Sequence, residues 1–406
     1  MEHRLVTHIE KALGWDGPGS VGTAFARGRL TDPDLVSRLM TPHRLLDLIK
    51  RRHLANPQLR CYAGGDEVHP SLFLSTNVNR RRQAVSQADM AALGRILAGG
   101  GTVVLDHVDF FDPTLEVACR ALGWWSGELT SANAYLAVGD TDGFHLHWDD
   151  HEVIAVQLSG EKSWEVRGPS RRAPMYRDAE RNREPSEEVL WKGTMRAGDV
   201  MHIPRGFWHT ATRLGSGDAG HSLHVTFGFT KRTGVTWVNF LSDAARADEA
   251  FRVDLDSNLN NVLDDTVHED LVHKLTALAR SYSPRGYLEE LRASTPPARH
   301  TPHVPALGAP QAVAAVTEFA PVIARDGGTV QVSAGGKRLT FHQRAEPSLR
   351  ALLSGHPVRL NGADDDLITL ANLLISEGLC ETLTDVSSSA YTGLVTPVTF
   401  SNRPST

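Results

Sequence analysis

The chain has 406 residues, of which 41% are hydrophobic and 22% charged, a balance typical of a globular protein with two to three domains. Its formal net charge of -6 provides no overall attraction to DNA or to anionic membranes, so we expect neither as a partner. Three widely spaced cysteines argue against a disulfide framework and a zinc cluster. We find neither a signal-peptide pattern nor an apolar run of membrane-spanning length, and we therefore predict a cytoplasmic protein.

Residues 1–100 are predicted to form a mainly helical and irregular flank to a barrel. Apolar residues recur at helical spacing between Leu35 and Leu54, which favours helices packed on the outside of that barrel. The basic run Arg80-Arg81-Arg82 is typical of a solvated surface, and a contact with substrate or RNA is the alternative.

Residues 101–234 are predicted to form the barrel itself. Alternating and β-branched segments predict strands at Thr102–Leu105, Asn133–Val138, Val153–Leu158 and His224–Phe227. With the turns between them, they indicate an α+β protein built around a double-stranded β-helix, an antiparallel barrel whose mouth holds a ligand. The polar segment Arg167–Glu188 interrupts this pattern and is predicted to be a surface loop, with a lid over the substrate as the alternative.

A His-X-Asp pair lies at the centre of the barrel region. His147 and Asp149 are two residues apart on an extended segment, so both side chains are expected on one face. A further histidine, His209, follows a Pro-Arg-Gly corner. Two histidines and one carboxylate, with the other positions open, are the ligands of non-haem Fe(II) oxygenases. His145 is expected on the same face as His147, and a chance pair in a chain with 19 histidines is the alternative to any metal site.

The segment after the barrel is predicted to be helical over residues 235–293. Trp237, Phe240 and Leu241 recur on one face of the first helix and provide apolar material for packing. Residues 294–325, which contain five prolines between positions 296 and 310, are predicted to be a linker with a short helix.

Residues 326–406 are predicted to form a C-terminal module of one hairpin and two helices. Val330 and Val332 are expected to pair with Leu339 and Phe341 across a Gly-Gly turn. The module carries six basic and eight acidic residues, and its net charge of 6 - 8 = -2 disfavours phosphate binding. We therefore expect a scaffold or partner surface and no direct DNA binding.

The ordered series of motifs in the barrel region resembles the JmjC-type (cupin-like) 2-oxoglutarate oxygenases, and among them the ribosomal oxygenases. The matching segments are Asn133-Ala134-Tyr135-Leu136, His147-Trp148-Asp149-Asp150, Gln157 to Trp164, Ile203-Pro204-Arg205-Gly206 through His209, and His221 to Thr226. The resemblance implies that His147, Asp149 and His209 bind Fe(II), with 2-oxoglutarate and O2 as cosubstrates.

The same resemblance implies roles for other residues and segments. Lys162 matches the basic residue that pairs with the distal carboxylate of 2-oxoglutarate. Asn133, Tyr135, His224 and Thr226 match further positions of the cosubstrate pocket. The resemblance also implies a homodimer formed through the helices after the barrel and a winged-helix-like C-terminal module.

The function implied by the resemblance is hydroxylation of a ribosomal protein side chain, with histidine or arginine favoured. A different peptide, a natural-product intermediate or a free amino acid stays open, because His145 and the Arg167–Glu188 segment depart from the family pattern. Lysine demethylation is a further alternative, and a cupin that binds metal or peptide without turnover is the alternative outside enzymes. Four acidic residues near the mouth would suit a cationic partner or form a solvated rim: Asp140, Asp142, Asp150 and Glu152.

Overall fold

The computed structural model describes residues 1–139, 142–176, 183–212, 220–255, 265–302 and 304–398. Its helices are α1 (Arg4–Leu13), α2 (Pro33–Leu39), α3 (Pro42–Lys50), α4 (Met90–Ala98), α5 (Pro113–Ser126), α6 (Gly234–Ala245), α7 (Asp265–Ser281), α8 (Pro284–Ser294), α9 (Glu346–Leu352), α10 (Asp365–Ser376) and α11 (Asp385–Tyr391). None of these described helices is long and apolar enough to cross a membrane.

The strands follow the same chain order. They are β1 (Ala26–Arg29), β2 (Leu59–Ala63), β3 (Asp66–Glu67), β4 (Leu74–Val78), β5 (Ala84–Ala88), β6 (Thr102–Leu105), β7 (Leu129–Val138), β8 (Asp142–His147), β9 (Glu152–Pro169), β10 (Val189–Arg196), β11 (Asp199–Ile203), β12 (Phe207–Thr212), β13 (His221–Thr230), β14 (Ala312–Ala315), β15 (Val322–Asp326), β16 (Thr329–Ala334), β17 (Lys337–His342), β18 (Val358–Arg359) and β19 (Cys380–Thr382).

Strand β9 links the two sheets of the barrel. Its first half, from Glu152 to Leu158, is buried throughout and pairs with β11 and β13. Its second half alternates between more and less buried residues and pairs with β10 and β12. Gly160 lies where the strand passes between sheets, at φ +62°, and a Cβ there would lie 1.8 Å from the His221 carbonyl oxygen. Only glycine fits this crossing.

The larger sheet has the strand order β1-β11-β9-β13-β7-β6-β2-β3. The smaller sheet consists of β10, β9, β12 and β8, and every pairing in both is antiparallel. Helix α5 packs against β7, and its apolar side chains join the main core. This arrangement of mixed helices and antiparallel sheets confirms the predicted α+β barrel of the cupin type.

The N-terminal flank was predicted to be mainly helical, yet it adds three strands to the larger sheet. Strand β1 pairs with β11, placing Arg27 opposite Met201, and β2 pairs with β6 and β3. Strand β1 is short and its sequence, Ala-Arg-Gly-Arg, has no apolar alternation. Its pairing with β11 stabilises it, and local sequence carries no signal of that pairing.

The C-terminal module has its own core and begins earlier than the predicted boundary at residue 326. Strand β14 lies within the predicted linker and β15 crosses its end, but β14 pairs with β18 and β19, and β15 pairs with β16. The predicted hairpin is confirmed, since Val330 faces Phe341 and Val332 faces Leu339. These strands were not predicted because they are short and follow a proline-rich stretch that is typical of a linker.

The two ends of the described chain lie against each other. The Arg4 backbone N–H donates to the Leu394 carbonyl over 3.0 Å, and the Glu2 N–H donates to His356 Nε2 over 3.1 Å. Helix α11 packs against α5 beneath them. The C-terminal module is therefore joined to the barrel through α1 and α5.

Candidate active site

Three metal-binding side chains converge at one end of the barrel. His147 ends β8, Asp149 follows it, and His209 lies directly opposite His147 on β12. One donor atom of each residue lies within 4.8 Å of the others. His209 Nε2 is 3.5 Å from an Asp149 carboxylate oxygen, and the His147 and His209 ring centres are 4.4 Å apart. The structure thus brings together the three residues predicted to bind metal.

A β-bulge on β8 determines which side chain lies beside His147. His209 faces His147, but two positions further along β12 Ala211 faces Phe144, so β8 contains one extra residue. The bulge breaks the alternation of faces, and the Phe144 ring lies 5.8 Å from that of His147. His145 is 72% exposed and points instead towards Asp66. The prediction that His145 shares the face of His147 is therefore wrong.

Backbone carbonyls orient both ligand histidines. His147 Nδ1 is 2.8 Å from the His145 carbonyl oxygen, and His209 Nδ1 is 3.1 Å from that of Phe207. A carbonyl only accepts hydrogen bonds, so Nδ1 donates in each ring, and in the neutral form of each ring Nε2 carries a lone pair that can bind a metal. Donation from the far ring nitrogen is the usual support of a metal-bound histidine.

The electrostatics of the triad suit a cation. Burial opposes ionisation of Asp149, but the hydrogen bond from His209 and the neighbouring imidazoles hold the pKa of its carboxyl well below the usual range. Burial and the charge of His209 lower the pKa of His147. Burial also disfavours a charged His209, yet the hydrogen bond and charge of Asp149 raise its pKa overall. Asp149 is thus a carboxylate and His147 a neutral imidazole at neutral pH, as metal binding requires.

Lys162 lines the same cavity and is almost fully buried, with 1% of its surface exposed. Its ammonium has no carboxylate partner among the described residues, and burial lowers its pKa to about 8. Two more nitrogens of the cavity lining, His224 Nδ1 and Trp164 Nε1, are buried without a hydrogen-bond partner. Buried charges and polar groups are costly unless paired. This cluster therefore fits a ligand that carries a carboxylate.

The other predicted pocket residues line this cavity, which has a volume of about 290 Å³. Burial raises the pKa of the Tyr135 hydroxyl, and the neighbouring side chains of Asn133 and Thr226 partly offset this. The Tyr135 ring stacks on His224 at 4.6 Å. Burial and the nearby Lys162 lower the pKa of His224 far enough to keep it neutral. All eight predicted site residues therefore lie around one cavity.

Several residues of the cavity wall were missed by the sequence analysis. Arg60 and Tyr62 reach the cavity from β2, and the Tyr62 ring packs 4.2 Å from Phe144. The Arg60 guanidinium forms a two-bond ion pair with Asp106, at 2.7 and 2.9 Å. Strand β2 is far from His147, Asp149 and His209 in the sequence, so no motif spacing relates it to them. The order of strands in the sheet brings β2 to the cavity. Trp164 could have been predicted, since it lies two residues after Lys162 and so on the same face of the strand.

Glu152 was predicted to lie on an acidic rim, but the structure buries it. It is 6% exposed, accepts a hydrogen bond from the Arg205 backbone N–H, and lies 3.6 Å from His202 Nε2. His202 is fully buried and accepts from the Gly22 N–H. Glu152 therefore links the strand after Asp149 to the corner before His209. Of the other acidic residues, Asp150 is half-buried, Asp140 lies outside the described residues, and the Asp142 side chain does so too.

The described part of the Arg167–Glu188 segment reaches the loop that carries Asp149. The Tyr176 hydroxyl donates to the Trp148 carbonyl over 3.2 Å, and its backbone N–H donates to an Asp150 carboxylate oxygen over 3.3 Å. Residues 177–182 lie outside the described residues. The alternative that this segment is a lid therefore stays a prediction.

The side chains present fit Fe(II) and 2-oxoglutarate. Two imidazoles and one carboxylate on one side of a cavity leave the remaining coordination positions open to a bidentate ligand and O2. A dicarboxylate bound there would meet the unpaired ammonium of Lys162 with its far end.

The sequence matches the family described as JmjC domain over residues 117–236. It is 37% identical to Ribosomal oxygenase 1 of Gallus gallus over 118 residues, which are 28% of this chain and 19% of that protein. It is 27% identical to the bifunctional lysine-specific demethylase and histidyl-hydroxylase NO66 of Caenorhabditis elegans over 210 residues, 49% of this chain and 26% of that protein. The chain thus spans about a quarter or less of the length of these relatives.

Solved structures resemble the fold over nearly the whole chain. The Escherichia coli ribosomal oxygenase YcfD is 15% identical, with a TM-score of 0.53 over 94% of this chain and 99% of that one. A YcfD structure in complex with cobalt and 2-oxoglutarate is 14% identical, with a TM-score of 0.53 over 93% and 97% of the two chains. At this identity the likeness supports the fold alone.

Proposed function

We propose that this protein is an Fe(II)- and 2-oxoglutarate-dependent hydroxylase of a protein side chain. Its residues 117–236 match the JmjC domain family. The observation that carries the proposal is one cavity with two chemically distinct ends. His147, Asp149 and His209 converge in it as metal ligands, and Lys162 lies buried in it without a counter-ion.

The residues of this cavity have separate tasks in the proposed reaction. Bound Fe(II), 2-oxoglutarate and O2 together supply the oxidant that hydroxylates a carbon–hydrogen bond, with release of CO2 and succinate. His147, Asp149 and His209 hold the metal, and Lys162 binds the far carboxylate of the cosubstrate. Neutral His224, stacked on Tyr135 and edge-to-face with Trp164, excludes water from that carboxylate.

We propose a polypeptide substrate, with a ribosomal protein favoured and histidine or arginine as the modified residue. A groove of about 480 Å³ adjoins the cavity and shares Asn133 and His151 with it. A groove of this size supports a substrate with chain on both sides of the modified residue, in preference to a free amino acid. The names of the relatives, ribosomal oxygenase and histidyl-hydroxylase, support a ribosomal protein.

Mass spectrometry of ribosomal proteins tests the proposed activity. Ribosomes from cells that lack the gene are incubated with the purified protein, Fe(II), 2-oxoglutarate and O2. We expect one ribosomal protein to gain the mass of one oxygen atom, with succinate released in equal amount. The Asp149→Ala variant is the matched control and should leave the mass unchanged. Metal and 2-oxoglutarate binding without any oxygen gain or succinate release would instead support a non-catalytic cupin.

We also propose a homodimer formed through α6 and α7. The residues first predicted for this contact are used within the subunit, since Leu241 is buried and Trp237 and Phe240 contact Tyr282. A different set of side chains leaves an exposed apolar surface on these helices: Val235, Val238, Val272 and Leu275. Exposed apolar patches of this kind commonly mark protein contacts.

The C-terminal module, with the sheet β15-β16-β17 and helices α9 and α10, is proposed to be a winged-helix-like partner surface.

A further inference from the structure

A two-stranded ribbon projects from the N-terminal flank. Strands β4 and β5 pair with each other and with no other described strand. The ten residues from Ser75 to Ala84 are all exposed, so nothing among the described residues covers either face of the ribbon there. Among the described residues, the ribbon is attached in its lower half, where Phe73 is fully buried and the Ser86 hydroxyl donates to the Leu54 carbonyl. An isolated hairpin is marginally stable in water, so this exposed ribbon calls for a functional explanation.

At the end of the ribbon, the Asn79 N–H donates to the Gln83 carbonyl and closes a turn of three consecutive arginines, Arg80, Arg81 and Arg82. The Asn79 side chain accepts hydrogen bonds from the Arg81 and Gln83 backbone N–H groups and orders the turn. Arg82 has a φ of 60°, in the left-handed region. Glycine is the residue that such three-residue connections favour at this position. An arginine is present there despite its conformational cost, which points to a use for its side chain.

The charge of the ribbon contrasts with that of the whole chain. Between Ser75 and Ala88 there are three arginines and no acidic residue, whereas the chain has a net charge of -6. The three guanidinium groups are exposed and have no ion-pair partner among the described residues. They are therefore free to bind an external anion.

The composition of the ribbon favours a nucleic acid over a protein as that anion. Protein interfaces are centred on buried aromatic or large apolar side chains, and the ribbon offers mostly Ser, Thr, Asn, Gln and Arg. Arginine forks match phosphate oxygens, and a two-stranded ribbon is one of the elements that a duplex groove admits. Because the ribbon has no aromatic residue, it cannot stack the bases of a single strand.

We propose that the Ser75–Ala88 ribbon binds the phosphate backbone of double-stranded nucleic acid through Arg80, Arg81 and Arg82. The contact is independent of base sequence and does not depend on the proposed hydroxylase activity. The overall negative charge of the protein opposes it, so binding is expected at low salt and decreases steeply as salt rises.

Fluorescence anisotropy with labelled duplexes of about 16 base pairs tests this proposal. Three phosphate contacts predict an affinity that falls about 40-fold between about 50 and about 200 mM salt. Replacing all three arginines by glutamine should abolish this binding, and replacing them by lysine should retain most of it. The matched control is glutamine at Arg338, Arg344 and Arg359, exposed arginines of the C-terminal module, which should leave binding unchanged. Tighter binding of RNA duplex than DNA duplex, or the reverse, identifies the source of the phosphate.

Three outcomes would overturn the proposal. They are equal binding by the wild type and the glutamine variant, tighter binding to single strands than to duplexes, and equal binding to polyglutamate. Arg82→Gly separates charge from conformation, because glycine suits the turn while one cation is removed. That variant should unfold at the same or a higher temperature and bind duplex more weakly than the wild type. Stronger or unchanged binding by it would show that Arg82 does not contact phosphate.

Discussion

At the scale of single residues, Lys162 is predicted to strengthen 2-oxoglutarate binding while it lowers the stability of the ligand-free protein. In Lys162→Met, the affinity for 2-oxoglutarate should fall by about 2–5 kcal/mol, because a buried carboxylate loses its charged partner. The ligand-free protein should become more stable, because an unpaired buried charge is removed. Calorimetric titration and urea unfolding measure the two effects. Lys192→Met, which removes an exposed lysine paired with Glu165, is the control, and an unchanged 2-oxoglutarate affinity in Lys162→Met would refute the role.

Lys162 also predicts a pH dependence. Its pKa in the ligand-free protein is about 8, so the ammonium that binds a carboxylate is present below pH 8 and lost above it. We expect 2-oxoglutarate affinity to weaken above pH 8, by up to about tenfold per pH unit. The folded-state pKa lies below the ordinary lysine value of 10.5, so the unfolded chain holds more protons between these pH values and stability rises there with pH. Titrations at several pH values should show both trends in the wild type and neither in Lys162→Met.

His147 and His145 give the sharpest pair of variants for the metal site. His147→Ala removes one of three converging ligands, so cobalt or iron affinity should fall by more than about tenfold. His145→Ala changes an exposed ring outside the site and should leave metal affinity unchanged. Spectroscopic titration with cobalt distinguishes them. The opposite result would mean that the β8 bulge does not form as described.

At the scale of secondary-structure elements, Glu152 joins the two segments that carry the metal ligands. Glu152→Gln keeps an oxygen for the Arg205 N–H but removes the charge beside His202 and Lys231. We expect the free energy of unfolding to fall by about 1–3 kcal/mol, with weaker metal binding. Urea unfolding measures the change, and Glu187→Gln on the exposed insertion is the control. Equal stability of wild type and Glu152→Gln would show that the link between the two segments is dispensable.

Strand patterns in the sequence predicted the barrel, the His-X-Asp spacing predicted two metal ligands, and the family resemblance predicted the cosubstrate pocket. His147 and Asp149 illustrate the prediction from spacing, and Lys162 the prediction from resemblance. Two features escaped these predictions for physical reasons. A bulge shifts the faces of β8 by one residue, and alternation alone cannot reveal such a shift. Glutamate is usually found on the surface, and Glu152 is buried because β11 and the N-terminal segment pack against it.

At the scale of the whole molecule, the exposed apolar surface on α6 and α7 predicts self-association. Val238→Asp and Leu275→Asp together should convert a dimer to a monomer, because two buried charges would face the partner helices. Light scattering at micromolar concentration measures the mass. Leu307→Asp, at an exposed leucine outside these helices, is the control and should leave the mass unchanged. A monomeric wild type would refute the dimer.

The contact between the two ends of the described chain has a consequence for synthesis. Helix α1 packs on β1 and β11, and its hydrogen bond from Arg4 needs Leu394 in place. At translation rates of about 5–20 residues per second, roughly 20 to 80 seconds separate the two residues on the ribosome. During that interval the first helix is present without its final partner. Helix α1 therefore makes its complete set of contacts only after Leu394 has been synthesised.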